Sequence, residues 1–182
     1  MTDLPNFISA NHSGRDSYKA CQIEEGVLNA AIVEADISRS FEEYLEIFNR
    51  FYADDIEVSS DTGKESIRGK ERVRSILLDF LVPLHVFAEI GGVSISIRNT
   101  AIPGDAAGET HSAWTLDLVG VSGKTCTLSW RTFRKWEGLR VVREHQYDHQ
   151  QTGGPLTFDD IRFRAAEPDG GAFQNPFGRK AD

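Results

Sequence analysis

Residues 109–149 read "ETHSAWTLDLVGVSGKTCTLSWRTFRKWEGLRVVREHQYDH". Side chains alternate along this stretch with a period of two, the signature of strands covered on one face. Turn residues interrupt the alternation at "GVSG" (120–123) and "EG" (137–138), so three antiparallel strands are predicted at 109–119, 124–136 and 139–149. A three-residue loop at 121–123, with Gly123 left-handed, sets Trp114 opposite Trp130, Leu116 opposite Leu128 and Leu118 opposite Cys126. A two-residue turn at "EG" sets Arg131 opposite Glu144, Phe133 opposite Val142 and Thr127 opposite Asp148.

Upstream the period changes to that of a helix. Val27, Leu28, Ala31 and Ile32 mark a short helix over about 23–36, after a polar, loop-like start at 1–21. Ser40 and Glu43 form a capping box ahead of a stripe of Phe41, Tyr44, Leu45, Phe48, Phe51 and Tyr52. "ADD" (53–55) ends that helix as a solvated junction, "IEVSS" (56–60) is a short strand, and "DTGKESIRG" (61–69) is a turn with a second short strand. A third helix runs from Lys70 to Val82, stopped by Pro83. A long strand then occupies 85–99, with His85 as a helix-exit residue, before the turn chemistry of "TAIPGDAAG" (100–108). Helices followed by a run of strands predict an α+β fold, with helices on one face of a curved, mainly antiparallel sheet. Beyond residue 150 the chain is rich in Gly, Pro and charge, and Phe163, Phe173 and Phe177 are candidate anchors of an arm on a neighbouring subunit.

The balance of charge narrows the partners. A net charge of −8 with no basic stripe argues against nucleic acid and against anionic lipid. No long apolar run predicts a membrane span, and the start lacks the pattern of a secretion signal. Two cysteines far apart, Cys21 and Cys126, fit a reduced, cytoplasmic protein.

Two stretches carry a resemblance. "FYADDIEVSSDTGKESIRGKERVRSIL" (51–77) and "FRKWEGLRVVREHQYD" (133–148) resemble segments of SnoaL-like and ketosteroid-isomerase-like proteins of the nuclear transport factor 2 superfamily. The likeness covers roughly 23–150, leaving 1–22 and 151–182 as extensions. It implies an NTF2-like cone, in which three N-terminal helices pack on a strongly curved mixed sheet around a pocket for a small organic ligand. Many such proteins are dimers through the sheet's outer face. On the isomerase pattern the proton-abstracting aspartate falls on Ser60, beside Asp61, and the oxyanion aspartate falls on Arg131. The first helix has no tyrosine at the other oxyanion position, so steroid isomerisation of that kind is not expected.

The predicted registers divide the sheet into a Trp face (Trp114, Leu116, Leu118, Cys126, Leu128, Trp130, Val141, His145, Tyr147) and a polar face. Burial alone places the Trp face on the helices. The resemblance instead turns the polar face inward, and a homodimer through the face carrying Trp114 and Trp130 then covers the indoles. On that expectation Arg131 stabilises a developing oxyanion, and His111 or Asp148 moves the proton. Asp61 joins them if a one-residue shift turns it inward. Phe133, Glu144, Gln146, Ser129 and Tyr52 complete the expected pocket. No cofactor is called for, and His145 and His149, about 13 Å apart along a strand, are too distant to share a metal. Two readings follow: cofactor-independent isomerase, dehydratase or cyclase chemistry, or a non-catalytic binding or scaffold module of the same fold.

Overall fold

The computed structural model describes residues 9–63, 65–102, 108–156 and 160, with the backbone alone for residues 9–18. Three helices come first or are interleaved with a small hairpin: α1 (Ser9–Glu34), α2 (Glu42–Phe51), β1 (Tyr52–Ser60), β2 (Ile67–Arg68) and α3 (Lys70–Glu89). Four long strands follow, β3 (Ser94–Ile102), β4 (Glu109–Val119), β5 (Thr125–Glu137) and β6 (Arg140–Gly153). They form one open, six-stranded sheet of order β2-β1-β6-β5-β4-β3, in which only the β1–β6 pair is parallel. The α+β architecture of three helices on a mixed, mainly antiparallel sheet is the one expected. Among the described residues, no helix is long and apolar enough to cross a membrane.

Several boundaries moved, each for a physical reason. α1 begins at Ser9, well before the predicted helix, because its buried face mixes Cys21 and Leu28 with the polar Glu25 and Asn29 and so hides the apolar period. Val27, expected inside, is exposed. The expected capping box does not form: α2 is capped by Phe41 without a side-chain bond, and Ser40 instead accepts the N–H of Glu42 at 3.1 Å and donates to its carboxylate at 2.5 Å. "ADD" lies within β1, not at a helix end. Asp54 and Asp55 face solvent there, as expected, and Lys70 ties the junction by donating to the carbonyls of Asn49 and Tyr52.

Pro83 does not stop α3; it sits inside a helix that runs on to Glu89. Loss of one backbone N–H is tolerated because the outer helix surface can give a little around the ring. Leu81 is buried against Ile37 and Leu45, and His85 Nδ1 contacts the Ile37 carbonyl at 2.6 Å, so packing on both sides of the proline holds the helix. His85 is thus a mid-helix strut, and residues 85–89 are helical rather than strand.

The first hairpin register stands as read: Trp114 pairs with Trp130, Leu116 with Leu128 and Leu118 with Cys126. The second does not. β6 turns at Gly138–Leu139, with Glu137 opposite Arg140, and a register shift follows at Lys135/Trp136. Glu144 therefore lies opposite Arg134, Phe133 opposite His145, Arg131 opposite Tyr147 and Thr127 opposite Thr152. From Arg134 to Arg131 the offset from the expected pairing is three residues, and an odd slip exchanges the two faces of a strand; past a second shift, at Ser129/Arg131, the offset is four. Beyond β6, Asp160 is held against the β4–β5 turn, accepting the Val121 N–H at 2.8 Å and pairing with Lys124 at 3.4 Å. The arm proposed for Phe163, Phe173 and Phe177 lies outside the described residues.

Candidate functional site: a buried polar core and a charged outer face

Burial settles which face meets the helices. Along β4, Thr110, Ser112, Trp114 and Leu116 are buried and alternate with half-buried His111, Ala113 and Thr115. Trp114 is 3% exposed. The indole side is turned toward the helices, not away from them, and the face expected to pair two subunits through Trp114 and Trp130 is the covered one. The resemblance-based expectation was the wrong choice here, and burial alone was the right one. Trp130 shares this inner face, is only half-buried, and stacks on Trp114 with ring centres 6.2 Å apart.

On the inner face Arg134 of β5 is the hub. Its Nε donates to Glu144 of β6 at 2.8 Å, and its Nη1 donates to Glu25 of α1 at 2.7 Å and to the Asn29 side-chain carbonyl at 2.9 Å. Tyr52, the first residue of β1, donates its phenol to Glu144 at 2.5 Å, and Gln146 donates to the other Glu144 oxygen at 2.9 Å. Glu25 also accepts from Asn29 at 2.9 Å, Thr110 at 2.9 Å and Ser112 at 3.2 Å. Two indoles close the network: Trp136 donates to Thr110 at 2.8 Å and Trp114 to Ser112 at 3.0 Å. Among the described residues, no buried side-chain nitrogen or oxygen lacks a partner. Burial of ions is tolerable only on those terms.

The protonation of this core follows from its contacts. Burial pushes the Glu144 carboxyl up, but the Arg134 guanidinium and the Tyr52 and Gln146 hydrogen bonds outweigh it and hold the group below the usual carboxylate value. Burial drives the Tyr52 phenol well above its ordinary value, with Arg134 opposing and Glu144 reinforcing. Burial works against the charge on Arg134, yet Tyr52, Glu25 and Glu144 more than restore it, and its pKa is raised. Glu144 is an anion, Tyr52 a neutral donor and Arg134 a cation.

The expected site residues divide between the two faces. Tyr52, Glu144 and Gln146 are inside, as expected, but Glu144 is bound to Arg134 and not to Arg131. His111, Phe133 and Ser129 belong to the outer face, where His111 packs on Phe133 (5.2 Å between ring centres) and meets the Tyr147 hydroxyl at 3.5 Å. His145 stacks on Tyr147 at 5.9 Å and meets Ser59 at 2.9 Å. Arg131 pairs with Asp148 at 3.4 Å, both about half exposed at 52% and 45%. Asp61 accepts the Asp148 N–H at 2.9 Å and the His149 imidazole at 2.7 Å; that imidazole contact, first among its causes, holds the Asp61 carboxyl below its usual value. Asp61, Asp148 and Arg131 do come together, therefore, but in solvent rather than in a desolvated pocket. Glu25, Asn29, Arg134, Thr110 and Ser112 were missed. The available signal was Glu25 and Asn29, spaced i and i+4 on one helix face.

No group of three or more possible metal ligands gathers among the described residues. Both cysteines are buried, and no disulfide joins them.

No family model matches the chain, and no curated protein matches it. Solved structures do. An NTF2-like protein of unknown function from Cytophaga hutchinsonii is 12% identical, with 70% of this chain and 97% of that one covered at a TM-score of 0.49. A putative polyketide cyclase from Xanthomonas campestris pv. campestris is 17% identical, with 70% and 91% covered and a TM-score of 0.49. A putative SnoaL-like polyketide cyclase from Mesorhizobium loti is 14% identical, with 71% and 96% covered and a TM-score of 0.43. The chain is thus similar to NTF2-like and SnoaL-like proteins.

Proposed function

We propose that this chain is a non-catalytic binding module for a small, partly apolar organic molecule. The observation that carries the reading is the state of the inner carboxylate. A general base works best with a pKa near the operating pH, and Glu144 is displaced away from it by Arg134, Tyr52 and Gln146. The phenol beside it is displaced in the opposite sense, so Tyr52 keeps its proton and Glu144 stays without one. The pair acts as a strut between β1, β5 and β6, not as a proton relay. The isomerase, dehydratase or cyclase reading needs a desolvated base, and the candidates His111, Asp148 and Asp61 belong to the outer face or stand in solvent.

The ligand's seat is the less covered end of the inner face, where half-buried Trp130, Leu128, Gln146 and Ser60 share one side of the sheet. An indole and a leucine offer apolar contact, and a single amide offers orientation, the usual make-up of a small-molecule seat. A thermal-shift screen of small organic molecules tests this. Compounds that raise the melting temperature of the wild type are expected to lose that effect on Trp130→Ala, without any being turned over. Equal shifts in both proteins, or turnover of a bound compound, defeat the reading.

The homodimer moves with the corrected orientation. We place it on the outer face, where His111, Phe133, His145 and Tyr147 form a half-buried aromatic patch that a second copy would cover. Phe133→Glu is expected to shift sedimentation to the monomer; an unchanged profile retires the dimer.

A further inference from the structure

The Glu25 carboxylate lies in a receptor that belongs to the sheet. Thr110 and Ser112 on β4 and Arg134 on β5 supply three of its donors, at 2.9, 3.2 and 2.7 Å, and all three residues are buried. Both hydroxyls are aimed in advance. An indole N–H can only donate, so Trp136 and Trp114 each occupy a lone pair of the hydroxyl they touch, and the hydroxyl hydrogens turn to the carboxylate. The Arg134 guanidinium is held in place by Glu144 and lies 5.7 Å from the Trp114 ring centre. This is a fixed oxyanion receptor with two indoles beside it.

Its occupant belongs to a different layer. Glu25 comes from α1, which carries glycine at the next position, no acidic residue in its first turn and no basic residue in its last. Ile23 and Val27 on the same helix are exposed at 64% and 41%, so its apolar hold on the sheet is the narrow stripe of Cys21, Leu28 and Ile32. Arg134 remains neutralised by Glu144 if Glu25 leaves. The excess carboxylate is the one that can be exchanged.

We infer that the Thr110–Ser112–Arg134 receptor binds the carboxylate of a small-molecule ligand, and that Glu25 is an internal stand-in which α1 withdraws when the ligand enters. The inference rests on the binding-module reading and adds the ligand's chemical class. A ligand carboxylate takes the three donors while its apolar body passes Trp114 toward Trp130, which stacks on it. α1 is then a lid whose latch imitates the ligand, and the apparent affinity scales with the fraction of molecules in which it is open.

The test titrates the full-length protein with acetate, benzoate and phenylacetate, each against its neutral amide, by tryptophan fluorescence and by amide hydrogen exchange. Carboxylates are expected to bind and amides not to. Binding should speed exchange over α1 residues 21–32 while slowing it in β4 and β5. Glu25→Ala should bind benzoate at least about tenfold more tightly than wild type, because the competitor is gone. Glu25→Gln, which keeps the side chain's volume, serves if the alanine variant does not fold, and exchange on the wild type needs no variant. Equal affinities in wild type and variant, equal binding of amides, unchanged or slowed exchange in α1, or no saturable carboxylate binding would each overturn it. Amides and carboxylates binding alike at a site sensitive to Trp130→Ala, with α1 undisturbed, would remove this inference and leave the binding module standing.

Discussion

Two arginine–carboxylate constellations lie on opposite faces of the same strand pair. Inside, Arg134 joins Glu25 and Glu144 with side chains 4%, 3% and 7% exposed. Outside, three residues away on β5, Arg131 meets Asp148 with about half of each side chain in water. The residue types are nearly the same; what differs is the solvent. A buried ion without its partner is stranded in a poor dielectric, whereas an exposed one is simply rehydrated. Chemical likeness in sequence therefore says little about energetic weight until the face is known.

The largest expected effect is the sharpest test of that contrast. Arg134→Leu leaves two carboxylates buried and should cost about 3–5 kcal/mol, measured by denaturant unfolding. Arg131→Ala should cost no more than about 1 kcal/mol. Similar losses at the two positions would break the comparison.

A smaller effect appears in the dependence on pH. The folded pKa of Glu144 lies below its unfolded value, so the unfolded state binds more protons at acid pH and stability rises with pH there. Its contribution is complete above the ordinary glutamate value of about 4.3 and is lost as pH falls through the depressed one. Tyr52 works in the opposite sense: its contribution is complete below about pH 10 and is lost as pH rises toward the elevated folded value. Glu144→Gln should flatten the acid limb of a stability curve and Tyr52→Phe the alkaline limb. Asp36, Glu42, Glu57 and Asp117 are also lowered, but they stand outside this core and should contribute to the acid limb of both proteins alike. An acid limb unchanged in Glu144→Gln would mean that the exposed acids carry all of it.

How much of this could be read from residues follows the same divide. Element order, strand number and the β4–β5 register were legible, because Gly123 marks one turn and the Trp–Trp, Leu–Leu and Leu–Cys pairs agree with it. The β5–β6 register was not. "EGLR" admits a turn on Glu137–Gly138 or on Gly138–Leu139, and the shift at Lys135/Trp136 leaves no mark in composition. The turn and the shift together moved Glu144 from Arg134 to Arg131, onto the polar face, and the resemblance then turned that face inward. α1 was shortened for a related reason: a helix that buries Glu25 and Asn29 against the sheet has no apolar stripe to betray it. Of the buried polar core, Tyr52, Glu144 and Gln146 were named, as pocket residues, while Glu25, Asn29 and Arg134 were not.

The smallest predicted effect concerns the bulge at the outer pair. Opposite Trp130, β6 spends two residues, Asp148 and His149, where β5 spends one, and Asp148 takes a φ of 56°. It is the one non-glycine among the described residues with positive φ. Aspartate tolerates this region better than most residues, since its short carboxylate can bond locally, and here Gln150 and Arg131 both reach it. Asp148→Ala keeps the backbone strain and loses those contacts, so it should destabilise by about 1 kcal/mol. Asp148→Gly loses the same contacts but removes the strain, and should lie about 1 kcal/mol above the alanine variant in stability, near wild type. Were glycine no better than alanine, the pair with Arg131 and not the backbone would be what holds the bulge. The outer constellation would then be worth more than its exposure implies, and the contrast with the buried core would narrow.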